Sequence, residues 1–227
     1  VDLTRTTWSQ VEATGGRSVL AIPLGSTEQH GPHLPLDTDT RVAAALAAGL
    51  AARVAGVAVA PALAYGASGE HAAFEGTLLI GHRVLADVLS ELVRSARRAF
   101  RGVVFVSAHG GNHEALETVR ARSAAEGDDV LVWSVHVAGG DAHAGHTETS
   151  LMLAIEPDAV RLPLARAGSS EPLEILMPRL RAVGVRPVSS NGVLGDPAGA
   201  SAEEGHALLA SLVSDLAEAV SSRWPPW

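Results

Sequence analysis

Val103-Val104-Phe105-Val106 runs without a break into Ser107-Ala108-His109-Gly110-Gly111-Asn112-His113-Glu114. A continuously apolar, β-branched run reads as a strand buried on both faces, because a strand with one wet face alternates. The two glycines let the backbone turn tightly. From Glu114 to Ala125 the residues follow a helical pattern. The stretch is therefore a strand, a turn and a helix, with His109 projecting from the strand end.

The same unit recurs on either side. Val19-Leu20-Ala21-Ile22, Val57-Ala58-Val59-Ala60 and Val130-Leu131-Val132-Trp133 are also continuously apolar. Helical patterns lie between them: Arg41 to Arg53, then Leu85, Val88, Leu89, Leu92, Val93 and Ala96. Strand–helix alternation of this kind predicts a doubly wound α/β fold. Past the fourth strand, Glu148 to Ile155 reads as a short helix ended by Pro157, and Leu173, Leu176 and Leu180 suggest another. Ser201 with Glu204 is a capping-box signature for a final helix. Leu208, Leu212, Leu216 and Val220 trace one face of it, with Leu209 and Val213 beside them, and Pro225-Pro226 stops it. No repeat or linker interrupts the pattern, so residues 1–227 are expected to form one domain.

Composition narrows the partners. Hydrophobic residues are 47% of the 227 and charged residues 19%, values of a globular chain and not of a disordered one. Abundant Ala and Gly suggest helices packed closely against the sheet. A formal net charge of -8, with no basic cluster, argues against nucleic acid and against an anionic membrane as partners. Cysteine is absent, which excludes disulfides, thiolate metal sites and a Cys nucleophile. A metal site must then use His, Asp or Glu, a donor set suited to zinc, iron(II) or manganese. No signal-peptide pattern opens the sequence and no apolar run reaches span length, so a cytoplasmic protein is expected.

The histidines cluster. Of ten, seven fall in four short segments: His30 and His33, His71, His109 and His113, His143 and His146. Three of the segments directly follow predicted strands, where sites form in open α/β sheets. In the first, Glu28 and His30 are two apart, and in an extended stretch both side chains point to one side. Asp39 follows a Pro-rich loop just before a helix and can return to the site to bridge two metals. The bland alternative is a capped turn, with Asp39 as the cap and the histidines exposed. In the second, Asn112 beside His109 can hydrogen-bond a substrate or a ligand, while His113 and Glu114 belong to the helix face or to supporting contacts. The segment lacks the phosphate-loop patterns, which argues against a nucleotide. In the third, Glu148 sits at a helix start that tolerates an anion, and His143 on the preceding loop is free to carry a proton or to be a plain surface histidine. The fourth segment, Tyr65 to Thr77, places His71 either at a substrate or on a surface loop. Five N/O groups suit a two-metal site with a bridging carboxylate, which polarises an amide carbonyl while a nearby His or Glu protonates the leaving nitrogen.

These motifs resemble the creatininase family. STEQHGPHLPLDTD, beginning at Ser26, matches its first metal-binding signature, HGGN at His109 a variant of the second, and HAGHTETS at His143 the third region. The resemblance runs nearly end to end. It implies a three-layer α/β/α fold with a mostly parallel sheet, one or two divalent ions per chain, and a homo-oligomer. Carried over, Glu28, His30, Asp39 and His109 match metal ligands, Asp39 the bridge, and His143 a catalytic histidine. One position departs: creatinine amidohydrolases carry a ligating glutamate where Gly111 stands, so Glu148 is expected to replace it as ligand or to act as acid/base. YGASGEH, GGDAHAGHTETSLML and NGVLGDPAGASAEEG resemble the branch of the family attached to mycofactocin biosynthesis. That resemblance implies a peptidase that releases a modified C-terminal Val-Tyr-derived dipeptide from a precursor peptide. A small-molecule cyclic amidohydrolase or deformylase is the alternative enzyme. A catalytically silent metal-binding scaffold is the alternative from another class.

Overall fold

The computed structural model describes residues 1–225. Val19–Leu24 (β1), Val57–Val59 (β2), Gly102–Ser107 (β3) and Val130–Ser134 (β4) form one sheet in the order β2-β1-β3-β4, parallel throughout. The helices are Trp8–Glu12 (α1), Thr38–Arg53 (α2), His82–Ala96 (α3), His113–Glu126 (α4), His146–Ile155 (α5), Leu173–Val183 (α6) and Ala202–Arg223 (α7). All four apolar runs are strands, as the sequence predicts.

Side chains alternate across each strand, which sorts the core into two halves. Val19, Ala21, Val104, Val106 and Trp133 face α2, α5 and α7, meeting Leu46, Leu50, Leu151, Met152, Leu212 and Leu216. Leu20, Ile22, Leu24, Val103 and Phe105 face α3 and α4, meeting Leu85, Leu89, Leu116 and Val119. Helices on both faces explain why the strand runs are unbroken, and give the expected three-layer α/β/α sandwich. Small residues set the helix spacing. A Cβ on Gly205 of α7 would stand 1.8 Å from the Ser150 carbonyl oxygen of α5, and one on Gly49 of α2 2.6 Å from Val213.

Several helix ends differ from the sequence reading, α5 among them, which begins at His146 and not at Glu148. Helix α2 begins at Thr38 with Asp37 as its N-cap, so Asp39 lies inside the first turn and not before it. Ser201 Oγ accepts the Glu204 N–H of α7 at 3.2 Å, but the Glu204 carboxylate turns to His146 instead of closing the capping box. Helix α7 ends at Arg223 with Pro225 beyond it; Pro226 lies outside the described residues. Among the described residues no helix is long and apolar enough to cross a membrane.

The topology positions the site. Strand β1 has β2 on one side and β3 on the other, and the helix after β1 packs on the opposite face from the helix after β3. In open α/β sheets the crevice beyond the carboxyl ends of the strands at such a switch point is where sites form.

Candidate metal and catalytic centre

Seven side chains converge in the crevice. The loop after β1 brings Glu28 and His30, and the first turn of α2 brings Asp39. The short helical turn Gly69–His71 brings His71, and the end of β3 brings His109. His143 comes from the loop after β4, and Glu148 from the first turn of α5. Glu28 and His30 are fully buried, and Asp39, His71, His109 and His143 are each less than a tenth exposed.

Asp39 organises the group. Its Oδ1 lies 3.2 Å from His30 Nε2 and its Oδ2 3.3 Å from His109 Nδ1, so one carboxylate faces two histidines with different oxygens. Ser26 Oγ donates to Oδ2 at 2.7 Å. Glu28 points its Oε1 at His71 Nε2 and its Oε2 at His109 Nε2, each 3.3 Å away. Glu148 Oε2 accepts the Ala144 N–H at 2.6 Å and stands 3.8 Å from His30 Nε2.

Three sets of donor atoms lie within 4.8 Å of one another: Glu28, Asp39 and His109; His30, His143 and Glu148; and Glu28, His71 and His143. Both Glu28 oxygens are buried without a hydrogen-bond partner. An unpaired buried carboxylate is costly unless a cation or a proton meets it. The donors are nitrogen and oxygen only, so the residues present fit a divalent ion of the zinc, manganese or iron(II) kind.

Electrostatics tell the same story. Burial opposes charge on His30, but Asp39, Glu148 and Glu28 outweigh it and hold the imidazolium up to about 10. His109 is likewise held up to about 10 against burial, by Glu28 and Asp39. Burial pushes Glu28 up to about 7, opposed by His109 and His30 and reinforced by Asp39. Burial also pushes Glu148 up to about 7. His71 is driven down to about 3 by burial and by its charged neighbours His109 and His30. His143 is driven well below the usual histidine value by burial, His30 and His71. A cation bound among these groups would displace the protons they hold.

The expected residues are not all where the sequence reading put them. His143 is not a surface histidine but a buried one on a pinned loop: its N–H donates to the Leu194 carbonyl at 3.2 Å, and its carbonyl accepts the Leu194 N–H at 2.8 Å. A strap through residues 184–200 therefore pins it. Asn112, expected at the substrate, spends its amide on backbone. Its Oδ1 accepts the Ala67 N–H at 2.9 Å and its Nδ2 donates to the Gly25 carbonyl at 3.0 Å. It clamps the loops after β1, β2 and β3 together. His71, expected to touch substrate, stands among the carboxylates. His113 and Glu114 are exposed on α4. His33 leaves the cluster to meet Thr149 Oγ1 at 2.8 Å, and His146 turns outward to the Ala198 carbonyl and Glu204.

Three contributors escaped the sequence reading. Ser26 and Gln29 lie inside the first motif but carry no charge to draw attention. Glu70 stands 3.9 Å from His109 Nε2, and its Oε1 would be 2.7 Å from a Cβ on Gly111. A side chain at position 111 would also meet the Ala67 carbonyl oxygen at 2.4 Å. Glycine is what this packing admits, and Glu70 occupies the edge of the space it leaves.

Comparison with known proteins assigns the class. The family model described as "Creatininase: Creatinine amidohydrolase" matches residues 4–220, and the chain belongs to the creatininase family. It is 48% identical to the "Mycofactocin precursor peptide peptidase" of Mycobacterium ulcerans (strain Agy99), over 99% of this chain and 92% of that protein. Among solved structures it is similar to "Creatininase Mn", with 28% identity and a TM-score of 0.82 over 100% of this chain and 99% of the other. A mutant creatininase described as "Zn-Zn type" matches with 27% identity and a TM-score of 0.82, over 99% of this chain and 98% of the other.

Proposed function

We propose that this chain is a metal-dependent amide hydrolase, and specifically the peptidase that releases the modified C-terminal dipeptide of a mycofactocin precursor peptide. The observation that carries the hydrolase reading is Glu28, a fully buried carboxylate with two unpartnered oxygens, ringed by histidines. The near full-length likeness to a precursor peptide peptidase supports the substrate. Single-domain organisation, a cytoplasmic location and a homo-oligomer belong to the same proposal.

Glu28, Asp39 and His109 would hold one ion. His30 and Glu148, with Asp39, would hold a second. A divalent ion there supplies Lewis acidity toward the amide carbonyl oxygen. The chain's own groups handle the protons. One ring nitrogen of His143 is held at 2.8 Å by the Gln29 carbonyl, and the other faces Glu28 Oε1 at 3.8 Å. That free nitrogen takes a proton from the attacking water as the O–C bond forms. It returns the proton to the amide nitrogen as the C–N bond breaks. Burial keeps the ring neutral beforehand, as a proton acceptor must be. Ser26, Asn112 and the strap hold these groups still, so the reaction does not have to order them.

Mass spectrometry of the protein with the modified precursor peptide tests the reading. Release of the dipeptide, with no turnover of creatinine or of formamides, is the expected result. Turnover of creatinine with an untouched peptide would move the function to a small-molecule amidohydrolase.

A further inference from the structure

Gln29 is 5% exposed and sits between His71 and His143. Its amide cannot be reversed. Oε1 accepts the Gly31 N–H at 2.9 Å, and Nε2 donates to the Gly192 carbonyl at 3.0 Å. A backbone N–H only donates and a carbonyl only accepts, so both ends of the amide are fixed. The strap must come close to make this contact: a Cβ on Gly192, where φ is +83°, would stand 1.8 Å from Gln29 Oε1. Glycine alone meets both demands.

We propose that Gln29 is a positioning residue that presets the proton pattern of the centre: its side chain places the His71 proton on the nitrogen nearer Glu28, and its backbone carbonyl leaves the His143 nitrogen nearer Glu28 bare. The amide nitrogen has two hydrogens. One goes to the Gly192 carbonyl, and the other to His71 Nδ1 at 2.8 Å. That ring nitrogen is therefore bare, and the neutral ring carries its proton on Nε2, 3.3 Å from Glu28 Oε1. On the other side, His143 Nε2 lies 2.8 Å from the Gln29 carbonyl oxygen, which can only accept. His143 must carry its proton there. The amide nitrogen 3.0 Å from the same atom has no hydrogen left to give, so that contact is proximity alone. His143 Nδ1 is then bare and turned toward Glu28 Oε1 at 3.8 Å. Both rings hold the same tautomer but show the centre opposite nitrogens, an N–H from His71 and a lone pair from His143. A hydrogen bond to the remote nitrogen commonly sets histidine tautomers in this way. The catalytic consequence rests on the function proposed above; the tautomers do not.

Long-range ¹H–¹⁵N NMR of zinc-loaded protein carrying ¹⁵N-histidine tests the assignment without any variant. The expected spectrum shows His71 and His143 each protonated on Nε2 only. A proton on Nδ1 of either ring, or a His71 with no proton on either nitrogen, overturns the proposal. In Gln29→Glu a carboxylate accepts where the amide donated, so the His71 proton should move to Nδ1 while His143 stays unchanged. Turnover should fall about 10- to 100-fold with bound zinc unaltered, the range for outer groups that orient a site. A Gln29→Glu protein with an unmoved His71 proton and normal turnover shows that Gln29 presets nothing. Wild-type protein that cleaves no peptide counts against the proposed function, whereas the spectrum alone decides the tautomers.

Discussion

Glu28→Ala empties the centre: bound metal falls close to zero and amide hydrolysis drops below detection. Glu28 contributes to two of the three donor sets, and neither of its buried oxygens has a hydrogen-bond partner in the protein. Removing it costs the ion a carboxylate and takes away the oxygen that each of His71 and His109 faces at 3.3 Å. His30, Asp39 and His109 should behave alike when changed to alanine, since Asp39 faces both histidines. Loss of metal is not loss of fold here. A buried unpaired carboxylate destabilises the metal-free protein, so metal-free Glu28→Gln should melt no lower than metal-free wild type. Elemental analysis beside thermal melting reads both effects, and a Glu28→Ala protein with its full metal content would show that the ion sits elsewhere. Glu148→Gln is the informative companion: lost metal marks a ligand, whereas retained metal with slow turnover marks an acid/base or substrate contact. The protons held on His30 and His109 up to about 10 must leave when an ion enters. Apparent metal affinity should therefore weaken as pH falls.

His143→Asn should keep metal and fold yet lose about two to four orders of magnitude in turnover, the contribution expected of general acid–base catalysis. An amide nitrogen leaves poorly without a proton, and His143 is the neutral buried base whose free nitrogen faces the carboxylates. The acidic limb of the pH–rate profile, where a base held below the usual histidine value takes up its proton, should change with it. His146→Ala is the control. His146 lies only three residues away but pairs with Glu204 on α7, so its loss should leave turnover near normal. A fast His143→Asn enzyme, or a His146→Ala enzyme equally slow, would assign the proton to another group.

Much of the fold was legible because the strands are buried on both faces. Such burial writes unbroken apolar runs, and Val103 to Val106 is the clearest of them. Helix α1 was not legible: five residues opened by Thr7, whose N–H donates to Gln10 Oε1 at 2.8 Å, give too short a period to detect. In the site, charge and histidine made Glu28, His30, Asp39, His109, His143 and Glu148 stand out, and all six meet in the crevice. What the sequence hid depends on contacts between distant segments. Asn112 looks free to bind substrate until Gly25 and Ala67 close on it. His143 looks mobile until the Leu194 strap, some fifty residues downstream, pairs with its backbone. Glu70 gains a place only because Gly111 folds beneath it. No spacing along the chain encodes those meetings.

The most direct measurement is peptide turnover by chelator-stripped protein, before and after zinc, manganese or iron(II) is returned, with bound metal counted in parallel. Stripped protein should turn over no peptide. Recovery should track the return of about one to two ions per chain, the occupancy of a one- or two-metal hydrolase site. Full turnover by protein shown to contain no metal would contradict it.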